Sequence, residues 1–219
     1  MRTLAIGDIH GCHTALTALL REVRPAPGDQ VIFLGDYIDR GPASRSVLEW
    51  MIDGERSYST VFLRGNHEVM ILEAREDPVK ANLWMSYGGL EMLASYSAEY
   101  QKDWQSAIPK AHWEFLERTM PFFETAKHIF VHACVDSALD MEDQPAWFLY
   151  WEYFHRIQPH KSGRKVICGH SPQRSGRIRD LGFAACIDTG PVYGGWLTCL
   201  DVDSGQCWQA NEKGETRTA

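Results

Sequence analysis

The sequence predicts an α/β protein: a mainly parallel sheet with helices on its faces. Three observations carry this. A short apolar strand, a polar loop with glycine and a helix follow one another three times in the first third of the chain. That recurrence is the βαβ pattern of a parallel sheet. The strand runs are apolar throughout, without alternation, as strands covered on both faces are. The strand-and-loop grammar then returns at 128–133, 165–172 and 184–190.

Leu4-Ala5-Ile6 reads as the first strand, stopping at Gly7-Asp8-Ile9-His10-Gly11. From Thr14 to Val23 the apolar positions Leu16, Leu19, Leu20 and Val23 fall at helical spacing. Pro25-Ala26-Pro27-Gly28 ends that helix. Val31 to Leu34 is the second strand, Gly35 to Gly41 its loop, and Pro42 suits the start of a helix whose face is Val47, Leu48, Met51 and Ile52. Val61-Phe62-Leu63 leads into Arg64-Gly65-Asn66-His67-Glu68 and a helix over 69–75. Residues 78–125 are rich in helix formers and aromatics, Trp84, Tyr100 and Trp104 among them, and read as a helical insertion without chemistry of its own, broken at Gly88-Gly89. Residues 136–163 read as an irregular aromatic loop facing the substrate. Residues 196–201 and 206–210 form a closing hairpin turned at Asp203-Ser204-Gly205, and 211–219 is a flexible polar tail. The chain reads as a single domain.

Composition narrows the function classes. With 219 residues, 44% hydrophobic and 23% charged, the chain has ample core for a globular enzyme. A net charge of −7 disfavours binding to nucleic acid, which rests on neutralising phosphates. No run approaches the roughly 20 apolar residues of a membrane span. No export signal is read at the N-terminus, so the expected setting is cytoplasmic and the six cysteines, none in a CxxC pair, read as reduced core residues.

The chemistry lies in the loops. Asp8 and His10, Asp36, Asn66, His132 and His170 follow five successive strands, and open α/β sheets build sites at the carboxyl ends of their strands. Two carboxylates, three imidazoles and an amide oxygen suit divalent ions such as Mn²⁺, Zn²⁺ or Fe²⁺. The set is too large for one catalytic ion, so two are expected, Mn²⁺ first, with Asp36 bridging. Two ions share and acidify a water and clamp phosphoryl oxygens. In-line attack then needs a proton donor for the leaving group. His67 is placed for that, Asp39 is its carboxylate partner, and Arg40 and Arg64 can fork onto the phosphate.

Gly7-Asp8-Ile9-His10-Gly11, Gly35-Asp36-Tyr37-Ile38-Asp39-Arg40-Gly41 and Gly65-Asn66-His67-Glu68 resemble the signature motifs of the phosphoprotein phosphatase family of metallophosphoesterases, in particular the bacterial and lambda-phage-type serine/threonine phosphatases. His132-Ala133 and Gly169-His170-Ser171-Pro172 resemble its two later histidine motifs, so the likeness runs from residue 7 to about 190 in the family's order. The resemblance implies a calcineurin-like sandwich of two mixed β-sheets flanked by helices. It implies Asp8, His10 and Asp36 on one metal and Asp36, Asn66, His132 and His170 on the other. One departure is plain: where relatives carry an arginine two residues after a tryptophan, Trp151 is followed by Glu152 and Tyr153, and Arg156 is the candidate substitute.

The bland readings are an N-cap for Asp8, a core histidine for His132 and a turn for Asp188; the company of the other motifs overrides the first two. Glu68 reads as a loop support. The expected function is hydrolysis of phosphoserine or phosphothreonine, with phosphotyrosine as an extension, in a protein, peptide or small phosphorylated molecule. The main rival is a diadenosine tetraphosphate hydrolase of similar fold; Asp39 and Glu68 favour the phosphatase. A catalytically silent metal-binding scaffold is a third reading, against which stands the retention of every ligand and of His67.

Overall fold

A computed structural model describes residues 1–54, 56–98 and 103–218. Two sheets face one another, each with helices on its outer side. The first has six strands in the order β11-β10-β9-β1-β2-β3, and the second five in the order β4-β5-β6-β8-β7. In the first, β1 (Thr3–Ile6), β2 (Gln30–Phe33) and β3 (Ser59–Phe62) run parallel, and β9 (Leu197–Asp201) and β10 (Cys207–Ala210) add antiparallel. In the second, β5 (His128–Val131), β6 (Lys165–Cys168) and β8 (Ala184–Cys186) run parallel, with β4 (Phe122–Glu124) and β7 (Arg179–Asp180) antiparallel at the edges.

The strand period of two explains why the runs are apolar throughout. Leu4, Ile6, Val31 and Phe33 face the first helical layer, while Ala5, Ile32 and Leu34 face the second sheet. Ile129, Val131, Val166 and Cys168 face the outer layer of the second sheet, while Phe130, Ile167, Ala185 and Ile187 meet the first. The strands β1, β2, β5, β6 and β8 thus bury both faces, while β3, at the sheet edge, is only partly buried.

The helices α1 (His13–Val23), α2 (Ser44–Asp53) and α3 (Asn66–Glu76) follow β1, β2 and β3. The second begins two residues beyond Pro42, and the third begins at Asn66, so the loop read around Asn66-His67-Glu68 is the first helical turn. The insertion is helical as expected: α4 (Pro78–Trp84), a π turn (Met85–Gly89), α5 (Leu90–Ser95) and α6 (Lys110–Arg118). Its Trp84, Met92, Trp104, Trp113 and Phe115 join the same core as Leu4 and Phe33. Tyr100, named with that aromatic set, lies outside the described residues.

Two readings need correction. Residues 136–163 contain α7 (Ala146–Trp151), whose carbonyls at Phe148 and Leu149 accept the amides of Cys134 and Ala133. Its aromatics divide: Phe154 is buried, whereas Trp147 and Tyr153 are exposed. The tail is also partly ordered. Asn211 Oδ1 accepts the amides of Lys213 and Glu215, and the turn so made returns the chain as β11 (Thr216–Thr218) against β10. Polar composition concealed an edge strand that needs no buried face; Ala219 lies outside the described residues.

Candidate active site

The loops after β1 and β2 are bound to each other before any ligand is considered. The amides of Ile9 and His10 donate to Asp36 O at 3.0 and 2.8 Å, and that of Gly11 to Tyr37 O at 2.9 Å. At Gly41 the backbones come so close that a Cβ would lie 1.9 Å from His10 O. Among the described residues seven non-glycines have positive φ, and five are site residues: His10, Asp36, Asp39, Arg40 and His170. Such conformations cost about 1–3 kcal/mol each and persist where the surroundings over-determine them. Glu68 supplies part of that determination, accepting the amides of Asp36, Tyr37 and Gly65 at 2.8–2.9 Å. Its role is the loop support expected of it. Burial and the nearby Asp36 push its carboxyl up to about 8, against the pull of those three amides.

His10, Asp36 and His67 present ligand atoms within 4.8 Å of one another, and so do Asp36, His132 and His170. Asp36 belongs to both groups, so the structure brings together the residue read as a bridge and three of the histidines read around it. His10 Nδ1 lies 2.9 Å from Ile38 O, which leaves its Nε2 lone pair 2.8 Å from Arg40 Nη1 and 3.3 Å from Asp36 Oδ2. His132 Nδ1 is likewise taken by Leu34 O at 2.9 Å, and its Nε2 faces Asn66 Oδ1 at 3.0 Å and Asp36 Oδ1 at 3.5 Å. The same amide oxygen is 3.1 Å from His170 Nδ1.

Lone pairs that converge on each other in a buried site call for a cation between them. Burial lowers His10 well below its usual value, His132 to about 3 and His170 to about 4, so these rings are neutral and ready to ligate. Burial also raises Asp8, with Asp188 and Asp36 adding repulsion, and raises Asp188 to about 7. Nitrogen and oxygen donors without a thiolate fit hard to borderline divalent ions. Asp8 is in neither group of three; its oxygens accept the His170 amide at 3.2 and 3.1 Å. Asp188, open in the sequence between a turn and a partner for the site, is buried beside Asp8 and accepts the Gly190 amide at 3.0 Å.

His67 and Asp39 are paired. His67 Nδ1 lies 2.6 Å from Asp39 Oδ2, both side chains are fully buried, and His67 Nε2 has no partner among the described residues. Burial lowers His67 to about 4 and raises Asp39 well above a usual carboxyl. Both shifts favour the uncharged pair, in which a proton sits at Nε2. One residue sequence reasoning missed is Trp84, whose Nε1–H donates to Asp39 Oδ2 at 2.8 Å. No motif signalled it, because it comes from the insertion.

The two arginines separate. Arg40 reaches the cluster through His10 and opens onto a cleft of about 550 Å³ lined by Tyr87, Leu90, Glu91 and Tyr193. Arg64 is not brought onto the cluster. Its Nε donates to Thr119 Oγ1, and its Nη2 to the carbonyls of Leu116, Glu117 and Thr119, where it closes the C-terminal end of α6. Arg156 is 67% exposed and pairs with Glu152, so it does not replace the missing arginine. Tyr153 stands there instead, its ring 5.7 Å from that of His170.

Comparison with known proteins agrees with this geometry. The profile of the calcineurin-like phosphoesterases matches residues 1–194. The serine/threonine-protein phosphatase 1 of Salmonella typhimurium (strain LT2) is 32% identical over 218 residues, covering 90% of each chain. The symmetrical bis(5'-nucleosyl)-tetraphosphatase of Ectopseudomonas mendocina is 26% identical over 268 residues, covering 94% of this chain and 96% of that one. A solved candidate diadenosine tetraphosphatase superposes with a TM-score of 0.69 at 20% identity, covering 100% of this chain and 93% of that one. No helix of the described residues is long and apolar enough to cross a membrane. With its two mixed sheets flanked by helices and its His/Asp groups suited to a dinuclear divalent centre, the chain belongs to the calcineurin-like metallophosphoesterase family of hydrolases.

Proposed function

We propose that the protein is a phosphomonoesterase that releases phosphate from phosphoserine and phosphothreonine, with two Mn²⁺ ions held by Asp8, His10, Asp36, Asn66, His132 and His170. The observation that carries the reading is the buried His67–Asp39 pair with its unpartnered Nε2. A serine or threonine alkoxide is a poor leaving group and needs a proton as it departs. A nucleotide leaving from a phosphoanhydride departs as a stable anion and does not. A site that spends a buried acid pair is matched to the first task. When bound, two divalent ions would supply an acidified water and polarise the phosphoryl oxygens. The chain's own residues do the rest. Arg40 offers its guanidinium to the phosphate oxygens from beside His10. His67 gives the Nε2 proton to the departing oxygen. Asp39 holds the imidazole in line through Nδ1. A cytoplasmic setting is part of this proposal, supported by six cysteines that are all free and buried.

A second reading, a dinucleoside tetraphosphate hydrolase, draws support from one feature. Tyr193 lies under the guanidiniums of both Arg40 and Arg174, at 5.8 and 5.6 Å, beside the cleft that Arg40 opens onto. An aromatic ring among cations can hold a base and its phosphates as well as a peptide. The deciding experiment gives the Mn²⁺-loaded protein phosphoserine peptides and diadenosine tetraphosphate at equal concentration. Faster phosphate release from the peptides is expected; faster nucleotide release would overturn the phosphatase reading.

A further inference from the structure

Trp84, the last residue of α4, is fully buried, and its N–H lies on the same Asp39 oxygen that faces His67. The other oxygen, Oδ1, has no partner among the described residues. The indole donor is therefore the one hydrogen bond, apart from His67 itself, that fixes the rotation of this carboxylate. An indole N–H only donates, so it orients Asp39 without competing for the proton that the pair shares.

The surroundings hold the indole in place. Its ring packs on Trp104 with centroids 4.7 Å apart, and Trp104 packs on Trp113 at 6.1 Å. A Cβ at residue 89 would lie 2.7 Å from the indole, so only glycine leaves room for the ring. Gly88, at φ +116°, presents its carbonyl to the Arg40 amide at 3.1 Å, and a Cβ there would come within 2.5 Å of that nitrogen. One stretch, Trp84 to Gly89, thus grips the consecutive residues Asp39 and Arg40, by an N–H and a C=O respectively. The helical path kinks within this stretch at Gly88, which is what turns its carbonyl toward Arg40.

We propose that Trp84 is a positioning residue for leaving-group protonation: its N–H holds the Asp39 carboxylate against His67, and through that pair it governs turnover of substrates with poor leaving groups. This rests on the reading of His67 and Asp39 as the acid pair. The balance is simple. Water adds to phosphorus, the P–O bond to the leaving group breaks, the departing oxygen takes the proton from His67 Nε2, and the proton lost by the attacking water restores His67 through solvent. The indole proton stays where it is.

The test replaces Trp84 with 3-benzothienylalanine, which keeps the shape and puts sulfur where the N–H was, alongside Trp84→Phe in the Mn²⁺-loaded full chain. Turnover is measured on para-nitrophenyl phosphate, whose leaving group departs unprotonated, and on a phosphoserine peptide. The ratio of kcat for the aryl ester to kcat for the peptide should rise by up to about tenfold, the upper net worth of one ordinary hydrogen bond. KM and manganese content should stay put, and the change should vanish in an Asp39→Ala background. An equal fall on both substrates, or an unmoved ratio with the isostere, overturns the proposal; the isostere decides if Trp84→Phe does not fold. Asp39→Ala alone separates the two levels. If it leaves the ratio unchanged, the acid-pair reading has failed; if it raises the ratio and the Trp84 isostere does not, only the role of Trp84 has.

Discussion

His67 touches two parts of the site at once: its amide donates to Asp36 Oδ1 at 3.0 Å, and its ring is held by Asp39. Main chain and side chain therefore serve different partners, and a side-chain substitution leaves the first intact. His67→Asn is expected to keep its metal and lose about 10²–10⁴-fold in kcat on phosphoserine peptides, the span of general acid catalysis. Metal analysis together with turnover checks this, and an unchanged rate removes His67 from the chemistry. Asp39→Asn should fall in the same direction. The pH profile has a sign. The pair must carry its Nε2 proton to act, and burial raises Asp39, so in the metal-saturated enzyme activity on alkyl phosphates is lost as pH rises through the pair's apparent pKa. That alkaline limb should be missing in His67→Asn.

At the scale of elements, Arg2 and Asp29 tie the start of β1 to the turn before β2. Arg2 donates to Asp29 from its amide at 2.7 Å and from Nε and Nη2 at 2.9 and 2.6 Å. Burial acts to raise Asp29, but Arg2 and the Ala26 amide outweigh it and bring the carboxyl to about 2. A depressed carboxyl stabilises the fold fully above its unfolded value of about 3.9 and loses that contribution as pH falls toward 2. Asp29→Asn should cost about 1–2 kcal/mol at neutral pH, allowing for the partly exposed arginine, and the two proteins should converge near pH 2 in denaturant titrations. Elements of this kind show how far sequence reading reaches. Strands β1, β2, β3, β5, β6 and β8 were legible because each holds a short apolar run that leads into a polar loop, with glycine in every loop but that after β5. The edge strands β4, β7 and β11 were not, since two to three residues at a rim carry no periodicity. The site histidines and carboxylates were legible from their place after strands. Trp84 was not, because its role depends on an indole nitrogen meeting a loop 45 residues away, and neither was Arg64's turn onto α6, which only the folded insertion makes available.

For the whole molecule, chelation should abolish turnover and Mn²⁺ restore it; full activity in excess chelator would end the two-ion reading. Ion binding should also release protons. Burial leaves Asp8 raised and Asp188 at about 7, so near pH 6 the metal-free site holds protons that a cation displaces. Affinity for Mn²⁺ should then rise between about pH 6 and 8, with proton release read by calorimetry in buffers of different ionisation heat; a flat affinity would show these acids already ionised. The strand alternation has a further consequence. Of the residues read as ligands, Asp8, His10 and Asp36 all follow strands of the first sheet, whereas His132 and His170 follow strands of the second. The spacing between the sheets, set in part by Ala5 and Ala185 at their meeting, is thus a ruler for one ion and not for the other. Ala185→Val, which overfills that seam, should weaken the second of two Mn²⁺ binding steps and leave the first almost unaltered.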